Sequence, residues 1–504
     1  MNISFKLIIT IAILSVFSSK AFCQTEFIDI KAADSPKGDL VLAEAGDKKI
    51  TVREFLYGYE LGPAFPKRAK NSKDVYLNYL INEKLLAGDG YSRKLDTNSL
   101  VKENLYGIET DLITEEMFKD QILKQVKITD DNINDAVRKK LTNIELKWLF
   151  APDKDSIRYY VNKLSEGIKF DSLYNSQLTD SVFADQRSWN TDVFNMEQKS
   201  SMIAGLIKNQ KAGSISSPVK GPDGWYVFKL VNIWKDVLSN ESELSKLKED
   251  SKTALEKGAM DSLSDSYVRH LLENQNPQID GKVFYILRLY LAKYEIDTKK
   301  FGEWNLEASL DSALNAINSA KQNINDLVLV TMKEGSFSIK DFIDWLKYRE
   351  QLAKFNEKDF NSFSGSVEAY VWRMVRDNSL TKTALAQGYQ NKKEVQEQLG
   401  WWKDKIVYAL VRDEIINSGE IANNKDSFKF ENKPLSDDAN KKLVHKVLAL
   451  KQKNKININK DLLNKIKVQN ENDPKTVDVY AVKKGGIFPH PAFPTIDLMW
   501  QNWQ

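Results

Sequence analysis

Three histidines and one cysteine are all that the 504 residues offer toward the commonest base, nucleophile and soft-metal chemistry. His270, His445 and His490 stand far apart, and Cys23 lies near the start. None of this has metal-ligand spacing, so no metal and no cofactor is expected. There is no glycine-rich loop of the phosphate-cradling kind and no Gly-x-Ser-x-Gly elbow. A Ser-His-Asp or Cys-His hydrolase would need one of those histidines without any supporting motif. The 70 acidic residues are too many to single out a carboxylate dyad. The formal charge is +3, with lysines and acids interspersed, which suits solvated helix faces and gives no case for nucleic acid. What stands out instead is aromatic: 11 Trp, 19 Tyr and 23 Phe. Trp401 and Trp402 are adjacent on a predicted helix, where neighbouring side chains cannot both face one core. At least one is expected to meet another domain, a client or a partner, and both are candidate client-binding residues.

An internal repeat organises the elements that must position such residues. A constant offset carries residue 41 to 328 and residue 55 to 342. Both stretches read as a short strand, a polar turn, a second strand and a helix start. Thr51 with Glu54, and Ser338 with Asp341, each give a hydroxyl cap and an acid three residues on, the capping-box spacing. After an insertion the match resumes: Tyr76 with Tyr370, Glu83 with Asp377, Val101 with Val395. Each copy continues as helices with apolar residues at three- and four-residue steps, to about residue 126 and about residue 416. Thr129 and Ser436 look like fresh caps after them.

The chain begins with Lys6, an apolar run over residues 7–17, then small and polar residues up to Cys23 and Gln24. That is the order of a secretory signal peptide, too short to span a bilayer as a mature helix. Cleavage is expected after Cys23; a lipidated Cys23 is the alternative, disfavoured by Phe22 in the lipobox. No later segment reads as a membrane span. If the cut follows Cys23, the mature chain has no cysteine, and packing alone must hold it together.

Between the copies the texture changes. Residues 144–150 alternate and are rich in β-formers; residues 155–164 are helical; Phe170 opens a short helix; residues 215–219 are extended. Gly221-Pro222-Asp223-Gly224 is a strong turn signal, and residues 225–233 form an alternating strand. Gly213-Ser214-Ile215-Ser216-Ser217-Pro218-Val219, followed by Trp225-Tyr226-Val227-Phe228-Lys229-Leu230, resembles the C-terminal half of a parvulin-type prolyl isomerase domain. Gly167 and Phe170 resemble the Gly-x-x-Phe helix junction of that family, and Ile128 to Asp131 its leading helix start. With helical flanks and a signal peptide, the layout resembles the SurA-like exported chaperones.

The resemblance implies an α+β chain: a mostly helical SurA-like body with a central parvulin-like domain of α/β-roll type. Its expected parts are a signal peptide over 1–23, an N-terminal helical domain over 24–140 and the parvulin-like domain over 141–236. A helical connector (237–325), a second repeat (326–440) and a C-terminal extension (441–504) follow. Active parvulins carry one histidine on the first strand and one on the last. Those positions fall here at Lys147 or Trp148 and at Tyr226, so they are degenerate catalytic positions. Tyr226 could still donate a hydrogen bond, with Lys147 as a cation nearby. The function implied is a periplasmic chaperone for unfolded, extended or outer-membrane proteins, with a weak or inactive isomerase domain. Two other readings stay open: an active peptidyl-prolyl cis-trans isomerase, and a structural subunit of an envelope secretion or assembly complex. The second draws on the Gly- and Pro-rich tail over 485–494 and its aromatic end, which either docks on a partner or lies against its own domain.

Overall fold

The computed structural model describes residues 27–294, 306–316, 323–349, 353–416, 436–468, 479–480, 490–491 and 493–503. The leader with Cys23 and most of the Gly- and Pro-rich tail lie outside the described residues. The fold is α+β, mostly helical, with small antiparallel sheets. It divides into two compact units, residues 118–270 and the remainder. The contiguous unit is thus wider than the 141–236 expected for the central domain. No described helix is long and apolar enough to cross a membrane.

The discontinuous unit contains both repeat copies, apart from the last turn of the first copy's third helix. The first runs β1 (Val41–Ala45), β2 (Lys48–Thr51), α1 (Val52–Glu60), α2 (Ser72–Ser92) and α3 (Ser99–Gln121). The contiguous unit supplies α4 (Asp130–Lys140), β3 (Thr142–Ala151), α5 (Lys154–Ser165), α6 (Phe170–Ser176), β4 (Ser188–Asp192), α7 (Val193–Lys199), α8 (Ser201–Ile207), β5 (Val219–Lys220) and β6 (Trp225–Lys235). The long helix α9 (Glu241–Gln275) leads out of it. Then come β7 (Gln278–Ile279), α10 (Gly281–Tyr294) and α11 (Leu306–Ala316). The second copy is β8 (Val328–Met332), β9 (Gly335–Ser338), α12 (Ile339–Tyr348), α13 (Phe360–Ala386) and α14 (Lys393–Ile416). The chain continues through α15 (Asp437–Lys453), β10 (Ile456–Ile458) and α16 (Lys460–Lys465).

The two copies build matching lobes. β1–β2 and β8–β9 pair antiparallel with a register shift at the same point, between Val41 and Ala43 and between Val328 and Val330. Each hairpin gains a third strand from a distant segment: β10 on β1, and β7 on β8. These also correspond, since Ala43 faces Ile458 as Val330 faces Ile279. Asn459 and Asp280 then donate their backbone N–H to Leu42 and Leu329, both at 2.9 Å, and cap the helices that follow. The remote segments read as connector and extension are therefore structural parts of the lobes. Thr51 accepts from the Glu54 amide and Ser338 from the Asp341 amide, both at 3.2 Å. Thr51→Ala and Ser338→Ala are each expected to cost about 1 kcal/mol. Hydrogen exchange in the first turns of α1 and α12 checks this; protection unchanged in both would contradict it.

The third helix of each copy crosses to the other lobe. α14 packs along α2, and Tyr408, Ala409 and Val411 join the core of the first lobe. α3 reaches the second: Asp111 accepts from Arg349 Nη2 at 2.8 Å, and the Thr114 hydroxyl lies 3.2 Å from that of Thr381. Both crossings carry buried charge at equivalent places. In the first lobe Lys405 of α14 donates to both oxygens of Glu83, at 2.8 and 2.7 Å. In the second, Asp377 accepts from Trp345 Nε1 at 3.1 Å and lies 3.6 Å from Arg349. Ion pairs this deep carry a desolvation cost that further hydrogen bonds must offset. Glu83 gains two more donors from the C-terminal end, the Asp497 amide at 2.7 Å and Trp500 Nε1 at 2.8 Å.

This end is the aromatic tail. Trp500 is fully buried, stacked at 5.7 Å on Tyr79 and joined to the first core with Ile496. The tail thus lies against its own lobe. Trp401 and Trp402 need correcting on the same ground. Both are buried, and the Trp401 ring sits 6.1 Å from Phe493. The one-core argument fails because α14 is enclosed all round: every residue from 405 to 412 is buried, between the first core and a smaller cluster with Val101 of α3. A helix packed on two sides has more than one buried face, its charges Lys405 and Arg412 paired within. Neither tryptophan offers a surface to a client.

Candidate functional site

The contiguous unit is built on a four-stranded antiparallel sheet in the order β4-β3-β6-β5. β3 and β6 are central, with Trp148 opposite Phe228 and Phe150 opposite Tyr226. Alternation sends successive side chains to opposite faces. On one face Leu149, Ala151 and Val227 pack on Ile157 of α5 and on Phe170, Leu173 and Tyr174 of α6. On the other, Leu146 and Leu230 pack on Met196 of α7, with Ile203 of α8 at the edge.

Beyond that second core, toward the β3 C-terminus, the same face carries four aromatic rings. Trp148 lies 6.1 Å from Phe228, Phe228 stacks at 5.7 Å on Tyr226, and Tyr226 meets Phe150 edge-on at 5.2 Å. Phe228 is buried and the other three are half-buried, so the shelf has an accessible side. The Arg187 guanidinium lies over Phe150, 4.8 Å from its centroid.

Backbone details hold the shelf. β4 stops pairing at Lys147, which leaves the β3 edge open at Phe150. The Gln177 side chain fills the gap, accepting from the Phe150 N–H at 3.0 Å and donating to its carbonyl at 2.9 Å. On the β6 side, Ser216 Oγ accepts from the Phe228 N–H at 2.9 Å. At the turn, a Cβ on Gly224 would fall 2.5 Å from both the Ala151 carbonyl oxygen and the Phe150 ring, so only glycine lets the strands close there.

Of the sequence-derived candidates, Trp148 and Tyr226 come together on the shelf and Lys147 does not. Lys147 points to the opposite face, its Nζ 5.3 Å from the Tyr174 ring and 3.7 Å from Glu145. Neighbouring strand residues cannot share a face, so a Lys147–Tyr226 constellation is ruled out by the pleat. Phe150, Phe228 and Arg187 were not singled out from sequence; the first two follow from Trp148 and Tyr226 by period two.

The Tyr226 hydroxyl donates to Asp223 Oδ1 at 2.5 Å. Burial, then this carboxylate, push its pKa up to about 12. It therefore stays protonated at neutral pH, with its proton committed to Asp223. The described part of this unit has a single histidine, His270, in α9 and away from the sheet in sequence. No cluster of three His, Cys, Asp or Glu side chains among the described residues is arranged to hold a metal. The arrangement offers flat apolar surface, the Arg187 cation and a phenol hydrogen-bonded to a carboxylate.

No family model matches the chain, and no curated protein matches it. Among solved structures, peptidylprolyl isomerase (PrsA) from Bacillus anthracis matches at 16% identity, covering 52% of this chain and 95% of its own, with a TM-score of 0.20. PrsA from Bacillus subtilis matches at 20% identity, over 45% and 91%, with a TM-score of 0.17. The peptidylprolyl isomerase (PrsA) from Bacillus cereus matches at 14%, over 55% and 98%, with a TM-score of 0.23. Scores this low describe no common superposition.

Proposed function

We propose that this protein is an exported folding chaperone of the periplasm that holds unfolded or extended polypeptide, outer-membrane proteins among them. In this reading the parvulin-like sheet binds chain and isomerises prolyl bonds weakly or not at all. The observation that carries it is the shelf of Trp148, Phe150, Tyr226 and Phe228, half-open and without a histidine. Flat rings accept proline and aromatic side chains of many sequences, each buried apolar side chain contributing roughly 1.5–3 kcal/mol before ordering costs. Catalysis asks for more. The amide barrier is about 18–20 kcal/mol, and lowering it needs polar groups matched to the twisted bond. The Tyr226 hydroxyl, already given to Asp223, supplies little of that.

A proline isomerisation assay is expected to give turnover far below that of a two-histidine parvulin, with Tyr226→Phe unchanged. Turnover at the level of such an enzyme would replace this reading with an active isomerase. In parallel, the full chain should slow aggregation of an unfolded outer-membrane protein. Deletion of residues 142–236 should weaken that effect. If neither form slows aggregation or crosslinks to client, the chaperone reading fails.

A further inference from the structure

The second lobe has an open cleft of about 720 Å³ between α10 and α11, and nothing above assigns it a role. One wall is a single face of α10, with Lys282, Tyr285 and Arg288 at three-residue steps. The other is α11, which presents only alanines and the serines Ser309 and Ser312. Arg288 is the unusual group. Its guanidinium lies 4.5 Å from the Tyr285 centroid, 5.0 Å from Phe360 and 5.8 Å from Phe284. Nη1 donates to Ser364 Oγ at 3.1 Å, while Nε is buried without an acceptor. No carboxylate among the described residues pairs with it, nor with Lys282. A planar cation held by rings and without a paired carboxylate among the described residues can receive a planar anion end-on, through its Nη donors. Burial pushes the Arg288 pKa down, which agrees with a desolvated and unpaired charge.

We propose that this cleft binds a peptide-borne carboxylate, with Arg288 as its main donor and Lys282 as a second positive charge at the mouth. The small side chains of α11 let main chain approach closely, and the Ser309 and Ser312 hydroxyls can bond its amides. The inference rests on the reading that polypeptide is the ligand class, and adds a recognition element for where a chain ends or carries an acid.

The experiment uses the full chain and three fluorescent hexapeptides of one sequence. One has a free C-terminal carboxylate, one a C-terminal amide, and one an amide with an internal glutamate; anisotropy reads affinity. The free acid is expected to bind about tenfold more tightly than the plain amide, as a charge-assisted hydrogen bond allows. Arg288→Gln should remove that difference. Arg288→Lys should restore part of it, because the charge remains and the fork does not. Ser309→Leu should weaken binding by filling the cleft without touching charge, and circular dichroism melts establish that each variant folds. If the glutamate peptide equals the free acid, the cleft takes a carboxylate from either source; if it equals the amide, it takes chain ends alone. Equal binding of all three peptides, or indifference to Arg288→Gln, overturns the inference while leaving chaperone function intact. Failure of every peptide to bind would overturn the inference, while the aggregation assay decides the chaperone reading separately.

Discussion

Glu83→Ala, with Lys405 left in place, is expected to destabilise the first lobe by about 3–5 kcal/mol, because it removes the carboxylate that accepts two hydrogen bonds from a buried ammonium. Glu83 is 5% exposed and accepts from Lys405, the Asp497 amide and Trp500 Nε1. The variant also leaves those last two donors unanswered. Hydrogen exchange across α2 and α14 should report the loss, while the contiguous unit keeps its protection. A companion variant, Glu83→Leu with Lys405→Met, should recover much of it, since an apolar pair of similar volume avoids desolvating two charges. A cost below about 1 kcal/mol for Glu83→Ala would mean that Lys405 finds water and that the pair is not enclosed as described. Nearby carboxylates make the stability of the same lobe depend on pH. Burial alone would raise the pKa of Asp404, but Lys84 at 2.8 Å and Lys48 at 3.0 Å outweigh it and hold it low. Asp497 behaves likewise: burial opposes ionisation, and Lys405 and Arg412 overcome it. A folded-state pKa below the unfolded value of about 3.9 contributes stability that is complete above that value. It is lost as pH falls through the folded value, so Asp404 and Asp497 cease to stabilise the first lobe in acid, whereas Glu54, raised by burial, works in the opposite sense.

Trp500→Ala is expected to cost about 3–5 kcal/mol, the range for emptying a large aromatic site in a core. The side chain is fully buried, stacks on Tyr79 and lies edge-on to Trp503 at 5.1 Å. Trp500→Phe should cost less, keeping part of the packing and losing the Nε1 bond to Glu83. Exchange protection in α2 that survives Trp500→Ala unchanged would show the tail to be dispensable.

Local features of this fold were legible where one short stretch carries the whole signal. Thr51 and Ser338 cap their helices because a hydroxyl needs only an amide three residues on. The hairpins β1–β2 and β8–β9 correspond because the repeat kept their alternation. The third strands β10 and β7 were not legible: two or three residues do not establish a period. The helix exchange was hidden for another reason. An amphipathic helix records that it buries a face, not whose core receives it, so α3 and α14 fit either lobe on pattern alone. Trp401 and Trp402 misled because the helix was assumed to have one buried side. In the sheet, Trp148 and Tyr226 were marked by resemblance, whereas the choice between Lys147 and Trp148 needed the pairing with Phe228. A one-residue ambiguity in a strand is an ambiguity of face.

The exchanged helices and the tail also set when each part can be made. The contiguous unit has all its strands within residues 142–235, so its sheet can form once that stretch leaves the ribosome. The first lobe cannot. Its hairpin and α1 emerge early, but α14, β10 and Trp500 come from the far end of the polypeptide. Such distant closures are entropically slow, and they leave apolar surface uncovered in the interval. The nascent protein would thus pass through a stage in which it exposes an unfinished core of its own. During that stage its earliest segment is itself the kind of chain that a chaperone receives.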